Sequence, residues 1–149
     1  MPTMTTVRQI LAHKPEPEAV FSVAPESTVF DALHLMSEKN VGAVVVCEGD
    51  RLVGILSERD YARKVALHGK SSRDMPIREI MTSRVLCIEP AQTADQCMAL
   101  MTDKRVRHLP VLEGARLVGV ISIGDVVRAI VKEQQFTIEQ LENYIGSGG

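Results

Sequence analysis

Apolar and polar residues follow a pattern that runs twice along this chain. A short apolar run, Val20 to Val23, leads to Pro25, and after Thr28 apolar side chains recur at i, i+3, i+4 and i+7 as Val29, Ala32, Leu33 and Met36. That spacing predicts an amphipathic helix. Two β-rich runs follow, Val41 to Cys47 and Leu52 to Leu56, joined by Glu48-Gly49-Asp50. They predict a hairpin with a glycine-bearing turn. A last helix carries Tyr61, Ala62, Val65 and Ala66. The second half starts again with Val85 to Ile88, then Ala94, Cys97, Met98 and Met101 at helical spacing. Val106 to Leu112 and Leu117 to Ile121 form its hairpin across Glu113-Gly114-Ala115, and Val126, Val127, Ile130 and Val131 its last helix.

Residues 20–60 align onto 85–125 at a constant offset of 65 without a gap, and 16 of the 41 pairs are identical. So regular a match makes the chain two copies of one β-α-β-β-α unit. Thr28 with Asp31, and Thr93 with Gln96, have the spacing that satisfies the free N–H groups of a helix's first turn. The predicted class is α/β, more closely α+β. Three strands with helices on one side leave a sheet face uncovered, so the two copies are expected to pack sheet to sheet about a pseudo-twofold axis, with two symmetry-related clefts. Repeat 1 spans 7–68 and repeat 2 spans 77–133 of a single module covering 1–149. Residues 68–76 are polar and broken by Gly69 and Pro76, which marks a linker. Ile77-Arg78-Glu79-Ile80-Met81 repeats Val7-Arg8-Gln9-Ile10-Leu11 in character, at an offset of 70. Residues 134–149 are expected to hold a separate final helix, Thr137 to Tyr144, and a disordered Gly-Ser-Gly-Gly tail.

Composition narrows the function. With 149 residues, 45% of them hydrophobic and 24% charged, the chain is globular in type and long enough to hold its own core. The net charge of −2 provides no general field for a polyanion, and without Trp, and with only 3% aromatic residues, there is no stacking platform for single strands. Nucleic acid is not an expected partner, nor is a membrane. The first eleven residues lack the long apolar stretch of a signal peptide, and Cys47, Cys87 and Cys97 are odd in number with no CxxC spacing. Both features point to a reducing, cytoplasmic setting. The four histidines have no metal-ligand spacing, so no metal is expected. Gly69-Lys70-Ser71 has Lys64 where a phosphate loop needs its first glycine. No nucleophile sits beside a base, and Ser57 and Ser122 lack a G-x-S-x-G elbow, so no catalysis is expected.

The candidate chemistry lies in Gly54-Ile55-Leu56-Ser57-Glu58-Arg59-Asp60 and Gly119-Val120-Ile121-Ser122-Ile123-Gly124-Asp125, each at a strand-to-helix junction. Ser-x-x-Asp is a capping box in its own right. Gly124 adds room for a ligand to approach the backbone of a helix N-terminus, where N–H groups favour an anion. Asp60 or Asp125 beside it is placed to accept hydrogen bonds from a vicinal diol such as a ribose. Arg105-Val106-Arg107-His108-Leu109-Pro110 is expected to open a strand in the second copy, with Arg105 and Arg107 on one face and His108 on the other. The first copy has Asn40-Val41-Gly42-Ala43-Val44-Val45 there, so an arginine and a histidine suited to phosphate occur in one copy only.

These features, with Leu109-Pro110-Val111, resemble the CBS domain, and two in tandem resemble a Bateman module, over roughly residues 7–133. The resemblance implies a regulatory module that binds AMP, ADP, ATP or sometimes NAD or S-adenosylmethionine and signals by conformational change to a partner. On the matching positions it implies that Asp125 holds ribose hydroxyls, that Ser122 and Gly124 line ribose and phosphate, and that Arg107 and His108, ahead of Pro110, take phosphate. Ser22, Val41 and Val120 would flank the adenine. The opposite cleft would use Ser57, Arg59 and Asp60 with Thr82, Cys87 and Val106, but Gly42, Ala43 and Val45 replace its Arg, His and Pro. Arg59 and Arg63 are expected to reach instead toward the phosphate of the Asp125 ligand. A scaffold protein with vestigial clefts is the alternative. A homodimer is expected through apolar helix faces including Leu33, Met36, Val126, Ile130 and Val131.

Overall fold

The structure, a computed structural model, describes residues 3–14 and 20–148. In chain order the elements are α1 (Val7–Ala12), β1 (Ser22–Val23), α2 (Val29–Lys39), β2 (Ala43–Glu48), β3 (Arg51–Ser57), α3 (Glu58–Lys64), α4 (Ala94–Lys104), β4 (His108–Glu113), β5 (Arg116–Ser122) and α5 (Ile123–Gly148). Single 3₁₀ turns at Ala66–His68 and Ile77–Glu79 lie between α3 and α4. The fold is α+β with two small sheets. One has the order β1-β2-β3, with β1 parallel and β3 antiparallel to β2, and the other is the β4-β5 hairpin.

The chain divides into two compact units that interleave in sequence. One comprises Glu18–Cys87 and Leu112–Val118, and the other Met1–Pro17, Ile88–Val111 and Gly119–Gly149. In the first, α2 buries Val29, Ala32 and Met36 against Val44, Val46 and Leu56 of the sheet, with Val65, Ile77 and Ile80 completing the core. Ile77 and Ile80, from the start of the second sequence repeat, therefore complete the core of the first unit. Val29 and Phe30 donate their N–H groups to the carbonyls of Met75 and Ser72, so the segment before the 3₁₀ turn at Ile77 satisfies the first turn of α2. In the second unit the N-terminal segment does the same work. Ala94 N–H donates to Thr5, and Thr3 and Asp95 exchange two hydrogen bonds of 2.7 and 3.1 Å. Thus Val7–Ala12 belongs with α4 and α5, and Ile77–Met81 with α2 and β3, which gives the offset-70 similarity a structural meaning.

The motif glycine shows why that arrangement needs its sequence. A β-carbon at Gly54 would lie 2.6 Å from Met81 Sδ and 3.1 Å from the Thr82 carbonyl, and one at Gly119 would lie 2.6 Å from Leu11 Cδ2. Each is tighter than van der Waals contact allows: at Gly54 the fixed Thr82 carbonyl leaves room for hydrogen alone, and at Gly119 the end of Leu11 would have to turn away. The hairpin turns use Gly49 and Gly114 at φ of 59° and 65°.

Several expectations are corrected. Val85–Ile88 does not form a strand: Ile88 alone bridges Val111, its N–H donating to Pro110. Arg105 lies off β4, because it ends α4 in the left-handed conformation at φ 55°, as Asn40 ends α2. Thr28 caps Asp31 N–H without a reciprocal bond from the aspartate, whereas Thr93 and Gln96 form the full box. Val126 to Tyr144 is one helix. No proline interrupts it and Gly146 lies inside it, so the expected break and the tail at 146–148 become part of α5, while Gly149 lies outside the described residues. Met36 and Val126 are core side chains, 1% and 0% exposed, and offer no surface to a second copy.

Candidate functional site

In the second unit, β5 runs into α5 at Ser122. Backbone and side chain lock the junction together: Ser122 N–H donates to Asp125 Oδ2 at 2.9 Å, and Asp125 N–H donates to Ser122 Oγ at 3.2 Å. Ile123 N–H donates to the Arg107 carbonyl at 2.8 Å, which ties the first turn of α5 to the start of β4. Two of the amides expected to await an anion are thus already engaged.

Asp125 is 8% exposed and carries two cations. Arg128 Nη2 donates to Oδ1 at 2.7 Å, and Lys14 Nζ lies 3.0 Å from Oδ2. Lys14 also donates to the Val120 carbonyl at 2.8 Å. Burial would raise the Asp125 carboxyl, but the Ser122 N–H and the Lys14 ammonium outweigh it and hold the group below its ordinary value. His108, at the head of β4, is pushed below its ordinary value by burial, with Lys14 and Arg107 adding to that shift and Asp125 opposing it. The site therefore holds a carboxylate, a largely neutral imidazole and three cations, Lys14, Arg107 and Arg128. Beside Asp125 opens a cavity of about 780 Å³ lined by α1 and α5, including Ile10, His13, Lys14, Ala129, Lys132 and Phe136.

The first unit repeats the motif with weaker electrostatics. Ser57 donates N–H and Oγ–H to Asp60 Oδ2 at 3.1 and 3.0 Å, and Asp60 N–H donates back to Ser57 Oγ. The nearest cation, Lys64, lies 3.7 Å from Oδ1 and donates to the Ile80 carbonyl. Thr82 pairs with Ile55 through two backbone bonds of 2.9 and 3.0 Å, which places it beside the same end of β3. Glu58 N–H donates to the Gly42 carbonyl, the counterpart of Ile123 on Arg107.

Of the sequence-predicted site residues, Val106, Arg107, His108, Pro110, Val120, Ser122, Gly124 and Asp125 lie in the second unit, and Ser22, Val41, Ser57, Arg59, Asp60, Arg63, Thr82 and Cys87 in the first. Pro110 is buried, and Arg59, Arg63 and Arg107 are exposed. Two residues on Asp125 escaped sequence reasoning. Arg128 was legible as an i+3 partner, and Lys14 only through the offset of 70, which sets it opposite Arg84. The three cysteines are free thiols, and burial pushes Cys97 up to about 11. Among the described residues, no group of three His, Cys, Asp or Glu could hold a metal ion, and no helix is long and apolar enough to cross a membrane.

The CBS domain family model matches residues 7–67 and 77–132, so this chain belongs to the CBS-domain family. The mitochondrial CBS domain-containing protein CBSX3 of Arabidopsis thaliana is 41% identical over 128 residues, covering 83% of this chain; the match spans 62% of that protein's length. Solved structures agree. A CBS-domain protein of Burkholderia ambifaria, ascribed to signal transduction, superposes with a TM-score of 0.84 at 52% identity, covering 90% of this chain and 99% of that one. The CBS-domain protein of Agrobacterium tumefaciens gives 0.78 at 39% identity over 84% and 92%. The chain is thus a tandem CBS pair of the regulatory, signal-transduction type.

Proposed function

We propose that this protein is a cytoplasmic adenine-nucleotide sensor without catalysis of its own, which responds to AMP, ADP, ATP or NAD and signals to an unidentified partner protein. The observation that carries the reading is Asp125: a carboxylate held ionised at a helix N-terminus, with His108 and Arg107 at the neighbouring strand start. Its oxygens accept from a ribose diol, and Arg107 and His108 take phosphate, as the arginine fork and an imidazole N–H allow. Lys14 and Arg128 also engage those oxygens. Ligand binding then exchanges them for ribose hydroxyls, and the release of Lys14 loosens the end of α1 from Asp125 and Val120. That exchange converts occupancy into a movement a partner can read. Asp60 serves a weaker site or none, since its copy lacks the arginine and histidine. No metal, nucleic acid or membrane enters this reading, and the protein works as a homodimer.

Calorimetric titration of AMP, ADP, ATP, NAD and S-adenosylmethionine into wild type, Asp125→Ala and Asp60→Ala tests it. Micromolar binding of one ligand, weakened at least tenfold in Asp125→Ala and by less in Asp60→Ala, is the expected result. If none of the five binds folded, ligand-free protein, the sensor gives way to a scaffold with vestigial clefts.

A further inference from the structure

Beyond Glu133 every described side chain of α5 is exposed through Gly146. Its composition does not favour an unsupported helix: Phe136, Thr137, Ile138, Tyr144, Ile145 and Gly146 are all weaker helix formers than Ala or Leu. Yet its apolar residues are ordered. Val127, Val131, Ile138, Leu141 and Ile145 are 44%, 45%, 54%, 57% and 70% exposed, and with Gln134 they occupy successive a and d positions of a heptad. At about 100° per residue this stripe lies roughly a quarter-turn from the face carrying Val126 and Ile130, and opposite the side that lines the cavity.

We infer that α5 pairs with α5 of a second copy as an antiparallel two-helix coiled coil centred near residue 136. This rests on the homodimer reading and specifies its surface. In that register Val127 meets the partner copy's Ile145, Val131 its Leu141 and Gln134 its Ile138, so every seam position finds a seam position. Charge selects the direction. Arg128 and Lys132 mark the N-terminal half of the exposed helix and Glu139 and Glu142 the C-terminal half, so antiparallel pairing sets Arg128 beside the partner copy's Glu142 and opposes the two helix dipoles. Because the seam and the cavity lie on different sides of α5, the dimer leaves Asp125 open to ligand.

Light scattering tests the surface, and cysteine pairing tests the direction. Wild type should weigh about twice the 16.4 kDa chain, Ile138→Glu/Leu141→Glu should weigh one chain and still melt cooperatively, at a temperature that no longer depends on protein concentration, and Leu67→Glu, another exposed apolar site, should remain a dimer. On oxidation, Val127→Cys and Ile145→Cys proteins should cross-link when mixed and not singly, since antiparallel pairing holds like positions about 27 Å apart at 1.5 Å per residue. A dimer that survives the double substitution overturns the seam while leaving the homodimer intact. A monomeric wild type at 100 µM overturns both. Cross-linking of each variant alone, or none in the mixture, overturns the antiparallel pairing.

Discussion

The same four residues, Ser-x-x-Asp, end a strand and begin a helix in both halves of this protein, and the two aspartates live in different surroundings. Asp60 shares its carboxylate with its own cap and one lysine at 3.7 Å, and is 21% exposed. Asp125 is 8% exposed and holds Lys14 and Arg128 at 3.0 and 2.7 Å. The first is chiefly a helix cap. The second is a small electrostatic assembly built on that cap, whose ammonium group comes from a segment more than a hundred residues away. A local motif thus determines a local geometry, and what the geometry is used for depends on the charges the tertiary structure brings to it.

The largest effect should come from removing each carboxylate. Asp125→Ala is expected to cost about 2 to 3 kcal/mol, because it leaves a partly buried Lys14 without its counter-ion and the Ser122 amide without an acceptor, and Asp60→Ala about 1 kcal/mol, near the value of a cap alone. Urea denaturation of the pair checks it, and equal losses would erase the distinction. The motif glycines should reverse the order. Gly54→Ala drives a methyl toward the Thr82 carbonyl, which cannot rotate away, and should cost about 2 kcal/mol. Gly119→Ala meets only the end of Leu11, which can turn, so thermal melts should place it above Gly54→Ala.

Acid should separate the halves by a smaller amount. His108 titrates below its ordinary value in the folded state, so its contribution is complete above pH 6.5 and is lost as pH falls through the folded value. Asp125 acts in the same direction further down, its contribution present above the ordinary value of 3.8 and lost below it. His108→Gln should flatten the decline in urea midpoint between pH 6.5 and 5, and Asp125→Asn the decline below pH 4. The smallest effect concerns the two left-handed helix ends. Asn tolerates φ 55° better than Arg, so Arg105→Asn should gain about 0.5 kcal/mol by thermal melt, and Asn40→Arg should lose a similar amount.

Much of this was legible in advance. The offset of 65 located both motifs, both hairpins and the helices α2 and α4, because apolar periodicity is written in neighbouring residues. The Ser57 and Thr93 caps were readable for the same reason: both partners lie within one turn. The asymmetry of Arg107 and His108 against Gly42 and Ala43 was plain from alignment alone. Where the reading failed, the competing influence was distant. Val85–Ile88 has strand composition yet gains only one bridge, at Ile88, and Arg105 continues a helix end where alternation suggested a strand. Met36 and Val126 sit at the apolar positions of their helices, and sequence could not say whether the core or a partner would cover them.

What the sequence by itself determined is the repeated unit: its helices, turns, caps and the glycine that permits close approach, all set by interactions a few residues long. Which segment fills the space beside that glycine was decided by tertiary structure. Leu11 packs at Gly119 and Met81 at Gly54, an exchange of neighbours between the two sequence repeats that no local pattern specifies. The charge on Asp125 was decided the same way. The Lys14 ammonium acts through space on the Asp125 carboxylate and the His108 imidazole, over distances that the chain sets only once it is folded.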